Sequence, residues 1–111
     1  MRSVIIILVT CFPLLLAMQT NDKEKKAVLT AGRKLYEKYS CNSCHGSDGV
    51  AQGDLRQAYK KFSDEQLKNM IKNPRDYANY KMPVYKGIIP DEDYKALIAY
   101  VKWLGEKSEK K

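Results

Sequence analysis

One pentapeptide limits what this chain can fold around: Cys41-Asn42-Ser43-Cys44-His45. Two thiols stand one backbone turn apart, and an imidazole follows directly on the second. The order C-x-x-C-H is the pattern for covalent attachment of a c-type haem. In that chemistry the thiols add across the haem vinyl groups, and the two residues between them let one turn span the vinyls. The imidazole then lies under the iron as its proximal ligand. Other uses of a cysteine pair fit less well. Zinc takes four ligands, yet the only further cysteine is Cys11, in an apolar leader, and His45 is the only histidine. A thioredoxin-like dithiol belongs in a βαβ unit, and no alternating strand pattern occurs. A disulfide closing so short a loop would add little by chain entropy.

Length and charge narrow the class further. A chain of 111 residues predicts one domain. Without its leader the chain is long enough for a small core, which a buried haem would enlarge as a rigid apolar plate. The formal net charge is +7, and Arg2 is the one charged residue before Asp22, so residues 21–111 carry one charge less, +6. A basic balance suits nucleic acid, an anionic membrane or an acidic protein partner. Nucleic acid is not expected, because there is no zinc-finger spacing, no RNP motif and no arginine-rich helix. The lysines are scattered except at the tail, and a solvated surface that aids solubility accounts for them equally well.

The leader, residues 1–20, reads as a secretory signal peptide. Met1-Arg2 supplies a positive start, and Val4 to Met18 is almost free of polar side chains apart from Thr10 and Cys11. The run is short for a membrane span, which needs about 20 apolar residues. No stable span is therefore expected once the signal is removed. Ala17 is the nearest small residue to a cleavage point. Leu8-Val9-Thr10-Cys11 resembles a lipoprotein box only slightly, since Thr10 is a poor fit and Phe12 to Leu16 would overhang. The alternative outcome is a retained leader that holds the protein loosely at a membrane. Export agrees with haem attachment, which in bacteria occurs outside the cytoplasmic membrane.

Residues 21–111 read as helices and loops. Ala27, Ala31, Leu35 and Tyr39 fall at spacing four, with Val28, Gly32 and Tyr36 beside them, which predicts a helix over about residues 23–39. A glycine on its apolar face implies close approach by another element, because Gly costs about 1 kcal/mol against Ala in a helix. Gly46 to Gly53 reads as loop. Leu55, Ala58, Tyr59 and Phe62 suggest a short helical turn. Ser63-Asp64-Glu65-Gln66 is a capping box that opens a helix through about Lys72, with Leu67, Met70 and Ile71 inward, and Asn73-Pro74 stops it. Residues 75–90 show no sustained period and read as a long loop, the kind that is usually functional. Asp91, Glu92 and Asp93 place negative charge at the start of a last helix, where the dipole favours it. Its stripe is Tyr94, Leu97, Ile98, Val101 and Leu104, flanked by Tyr100 and Trp103. Gly105 and Lys107 mark its end, and residues 108–111 form a charged tail.

In their order, Gly32-x-x-x-Tyr36, Cys41-x-x-Cys44-His45-Gly46, Asn73-Pro74, Met82-Pro83 and Tyr100-x-x-Trp103-Leu104 resemble the class I, monohaem c-type cytochromes of bacteria. The resemblance covers roughly residues 27–106. It implies an all-α, small cytochrome c fold of three to five helices packed around one covalent haem, with residues 21–111 as the cytochrome c domain. It also implies that Cys41 and Cys44 are the thioether cysteines, that His45 is the proximal iron ligand and that Met82 is the distal iron ligand. Gly32 then lets the first helix cross the last against Tyr100. The family often has a proline after the Cys-His unit whose carbonyl holds the proximal imidazole. Here the stretch reads Gly53-Asp54-Leu55, so the sequence does not name that carbonyl. Of the other haem ligand options, Met70 sits on a helical stripe and suits packing, and Lys81 is the neighbour that can substitute for Met82. Tyr59, Tyr77, Tyr80, Arg75 and Lys81 are candidate propionate partners, and Leu55, Leu67, Ile71, Val84 and Leu97 are candidates for the haem wall.

The function expected is an exported carrier of single electrons between redox partners, using haem c and its iron. It would be a monomer of the periplasm or another extracytoplasmic compartment and not itself an enzyme. Lys60, Lys61, Lys72, Lys81 and Lys86 would steer it onto redox partner proteins with an acidic docking surface. The alternative is the haem-bearing small subunit of a periplasmic oxidoreductase complex. A ligand sensor or peroxidase-like site would need an open iron, against which the lack of a second histidine and the presence of Met82-Pro83 both count.

Overall fold

The computed structural model describes residues 21–111. The signal-peptide reading therefore concerns residues outside those described. Helix α1 covers residues 21–38. It is followed by α2 (Cys41–His45), α3 (Ala58–Lys61), α4 (Asp64–Lys72), a 3-10 turn over Pro74–Tyr77, and α5 (Asp91–Glu109). No strand occurs among the described residues, so the all-α expectation holds. None of their helices is long and apolar enough to cross a membrane.

The frame is the crossing of α1 and α5. Gly32 is buried there, and a Cβ at that position would collide with the Ala96 carbonyl oxygen and lie 2.6 Å from Tyr100 Cβ. The missing side chain thus lets the two backbones touch, which offsets the poor helix propensity of glycine. One turn on, the Tyr36 ring packs on Tyr100 with centroids 5.3 Å apart. The buried row of α1 is Gly32 and Tyr36, with Val28, Leu35 and Tyr39 half-buried, while Ala27 and Ala31 are exposed. The stripe is therefore turned one residue from the Ala27-Ala31 row, because the contact is centred on the residue with no side chain.

Helix α5 supplies most of the remaining core, with Tyr94, Leu97, Ile98, Val101 and Leu104 buried. Tyr100 is buried with them rather than flanking the stripe. Gly105 does not end the helix. It is a second close approach, where a Cβ would strike the Leu55 carbonyl oxygen. The helix continues to Glu109, and Ser108, expected in a charged tail, is buried and donates its hydroxyl to the Asp48 carbonyl at 2.6 Å. At its start Asp91 accepts from Lys72 at 3.0 Å, and that ammonium holds the Asp91 carboxyl below the ordinary range.

The capping box of α4 forms as its sequence requires. Gln66 N–H donates to Ser63 Oγ at 3.1 Å, and Ser63 N–H donates to Gln66 Oε1 at 2.8 Å. Leu67 is buried, and Met70 and Ile71 are half-buried against the core. After Asn73 the chain does not pass straight into open loop, because Pro74 at the first position seeds the 3-10 turn. The following segment is pinned at its far end. Lys86 N–H donates to the Lys72 carbonyl at 3.1 Å, and the Tyr85 hydroxyl donates to the Tyr39 carbonyl at 2.6 Å.

Candidate functional site

Cys41, Cys44 and His45 lie on α2, a single turn entered through Ser40 in the left-handed region (φ 59°) and left through Gly46 (φ 82°). Backbone bonds tie it down: Gln52 N–H donates to the Cys44 carbonyl at 2.9 Å, and Ala51 N–H to the His45 carbonyl at 3.0 Å. The Tyr36 hydroxyl donates to the Gly46 carbonyl at 2.6 Å, which fastens this turn to α1. Burial, and then the nearby Cys41, hold the Tyr36 phenol protonated well above its ordinary range. Burial also pushes the Cys41 thiol up to about 11. Cys44 is exposed.

The carbonyl that orients His45 belongs to Gly53, 2.7 Å from Nδ1. A carbonyl only accepts, so Nδ1 carries the proton and Nε2 keeps the lone pair of a metal ligand. Gly53 has φ +66°, and a Cβ there would lie 2.8 Å from His45 Cε1. Glycine is therefore required twice, once for the backbone and once for the space beside the ring. The signal in the sequence was the Gly53-Asp54-Leu55 stretch itself, but which carbonyl turns inward depends on φ and ψ and not on side-chain type.

His45 and Met82 line the same cavity, of about 450 Å3, together with Cys41. Leu55, Leu67, Ile71 and Leu97 face it as expected, joined by Phe62 and Val101. Val84 does not; it is 39% exposed on the segment after Met82. Met70 also lines the wall from α4. A second opening, of about 320 Å3, adjoins the first at Cys41, His45, Gly53, Asn79 and Met82 and adds Cys44 and Lys81; the two together make up the crevice.

Arg75 is not among the residues lining the crevice; its Nη1 donates to the carbonyls of Asn79 and Met82, and Nε and Nη2 are left with donors to spare. Lys60 and Lys72 are paired with Glu109 and Asp91. Lys61 and Lys81 line the crevice and stand in no ion pair among the described residues. Of the candidate propionate partners, Tyr77 and Lys81 line it. Gln57, Lys61 and Asn79, which sequence reasoning did not single out for this, line it too.

The donor set fits a haem better than a bare ion. Among the described residues no group of three or more His, Cys, Asp or Glu side chains is placed to hold a metal. A haem brings its own equatorial nitrogens and asks the protein only for axial ligands, an apolar wall and thiols at its edge. One imidazole with a fixed tautomer, one thioether, two thiols and a leucine-rich slot meet that request.

An all-helical fold built on a C-x-x-C-H turn beside such a crevice defines a c-type cytochrome domain. The profile of the family described as "Cytochrome C oxidase, cbb3-type, subunit III" matches residues 27–101, and the chain belongs to this cytochrome c family. With it come haem c, its iron and the role of a haem-bearing electron-transfer module. The chain is also similar to cytochrome c oxidase subunit 2 of Alkalihalophilus pseudofirmus, with 30% identity over 95 residues, covering 75% of this chain. The match spans only 28% of that relative's length. No solved structure matches the chain.

Proposed function

We propose that the chain is an exported monohaem c-type cytochrome that carries single electrons between redox partners. Cys41 and Cys44 hold the one haem covalently, His45 is the proximal ligand and Met82 the distal ligand. Residues 1–20 serve as its signal peptide, and residues 21–111 are a monomeric carrier in the periplasm or an equivalent compartment. The observation that carries this reading is the convergence of His45, Met82 and Cys41 on one apolar crevice. The haem supplies a one-electron ferric–ferrous couple when bound. With the haem bound, Gly53 would keep the imidazole proton on Nδ1, the leucine-lined wall would shield the haem from water, and Met82 would supply the second protein ligand. A neutral sulfur ligand favours the ferrous state.

Among the described residues, four of the five large exposed hydrophobics, Tyr77, Tyr80, Val84 and Ile88, lie on the segment around Met82. That clustering supports docking at this edge of the crevice, with Lys61 and Lys81 as the steering charges. The test is the rate of electron exchange with an acidic redox protein as salt is raised. Steering predicts a fall of tenfold or more between low and physiological ionic strength. A rate independent of salt would overturn the docking surface.

A second reading is a haem-bearing small subunit of an oxidoreductase complex. It is favoured by the description of the matching family and by the name of the similar protein, both of which are of oxidase subunits. Isolation of the native protein separates the two, since a carrier purifies alone and a subunit purifies in a fixed ratio with larger chains.

A further inference from the structure

The segment that carries Met82 has neither helix nor strand, yet both peptide groups of Met82 are held by side chains. Arg75 Nη1 donates to the Met82 carbonyl at 2.8 Å and to the Asn79 carbonyl at 2.7 Å. Asn79 Oδ1 accepts from Met82 N–H at 3.2 Å and from Lys81 N–H at 3.1 Å. Between them Ala78 stands in the left-handed region at φ 57°, and Asn79 N–H returns to the Pro74 carbonyl at 3.0 Å. The result is a closed knot over residues 74–82, built on the 3-10 turn that ends α4.

Two features mark this knot as more than loop trim. Arg75 stands in no ion pair among the described residues, although Asp76 is its neighbour. Its Nη1 donates to two carbonyls, and its guanidinium lies 5.8 Å from the Tyr80 ring centroid. Asn79 and Met82 line both parts of the crevice, so the knot closes at the crevice wall. Methionine itself is unbranched and flexible. Its sulfur therefore stays in one place only if its backbone does.

We propose that Arg75 and Asn79 are positioning residues that lock the Met82 backbone and so keep its sulfur at the sixth position of the iron. This rests on Met82 being the distal ligand. Charge-assisted bonds such as those of Arg75 are the stronger class. When a competent conformer is only partly populated, apparent affinity falls by that fraction. Loss of either side chain therefore lets Met82 leave the iron, while the covalent haem and the helices remain.

The experiment uses the full chain exported with haem-maturation machinery, as wild type, Arg75→Ala, Arg75→Lys, Asn79→Ala and Asn79→Asp. Three quantities are read: the weak ferric band of Met-to-iron charge transfer, carbon monoxide binding by the reduced protein, and helical content by circular dichroism. Arg75→Ala and Asn79→Ala should lose most of the band and bind carbon monoxide about tenfold more readily, at unchanged helicity. Arg75→Lys should fall between. Asn79→Asp keeps the two acceptor bonds and should behave as wild type, so this pair carries the test even if Arg75→Ala fails to mature. Unchanged Ala variants, in a wild type that shows the band, would overturn the clamp alone. Loss in Asn79→Asp equal to that in Asn79→Ala would also overturn it, by moving the role to the amide nitrogen. A wild type without the band and open to carbon monoxide would overturn the Met82 reading and the clamp together.

Discussion

The segment that supplies His45 and the segment that supplies Met82 are held by different means. His45 sits on a helical turn whose carbonyls are tied by backbone N–H groups a few residues on, and its ring is fixed by one carbonyl at 2.7 Å. Met82 sits on a stretch without regular structure and is held by the side chains of Arg75 and Asn79. On the proposed reading the first turn is also tethered to the haem by two covalent bonds, and the second by none. If both residues hold the iron as proposed, they are vulnerable in different ways. The imidazole depends on backbone shape, so a change of φ preference disturbs it. The thioether depends on side-chain bonds, so it is lost by truncation and tuned by substitution.

Two backbone substitutions sharpen this contrast, and they differ in size. Gly53→Ala has the larger expected effect. A left-handed non-glycine residue costs about 1–2 kcal/mol, and the new Cβ would lie 2.8 Å from His45 Cε1. The variant should lose at least that much stability in denaturant titration. Its imidazole signals should shift in the nuclear magnetic resonance spectrum while the Met-to-iron band persists. A loss confined to the Met band would contradict the assignment of Gly53 to the His45 side.

Ala78→Gly has the smaller effect and the opposite sign. Ala78 stands at φ 57°, and glycine removes the left-handed penalty while adding chain entropy to the unfolded state, for a net gain of no more than about 1 kcal/mol. The midpoint for losing the Met-to-iron band on heating should rise slightly or stay fixed. A marked fall would mean that the Ala78 methyl, rather than the turn it occupies, holds the segment.

Much of the frame was legible from the residues. The period of α5, the Ser63–Gln66 capping box, the stop at Asn73-Pro74 and the glycine on the α1 face each have a side-chain signature that physics reads in one way. Gly32 called for a close neighbour, and α5 provides it. Gly105 carried the same signal near a helix end and was ambiguous, because glycine serves both as a terminator and as a contact. Of the α1 stripe, Val28, Gly32, Leu35, Tyr36 and Tyr39 are covered and only Ala27 and Ala31 are exposed, since alanines at spacing four look apolar whether or not anything covers them.

The candidate site could be proposed from its donors, but its fastenings could not be read from the sequence. Cys41, Cys44, His45 and Met82 are distinctive side chains in a distinctive order. The carbonyls of Gly53, Gly46 and Met82 are groups that every residue has, so the bonds to His45, Tyr36 and Arg75 leave no mark on the sequence. Arg75 read as a partner for acids because that is how an exposed arginine is usually used. That its Nη1 also bonds the carbonyls of Asn79 and Met82 could not be read from residue type.

The most direct test of the account is one set of absorption spectra on the exported protein: oxidised, reduced, and reduced under carbon monoxide. The account predicts a covalently held, low-spin haem, a weak ferric band from Met82 sulfur, and a reduced spectrum that carbon monoxide leaves unchanged. A high-spin spectrum, or prompt carbon monoxide binding, would contradict it by showing that no side chain of the crevice closes the sixth position.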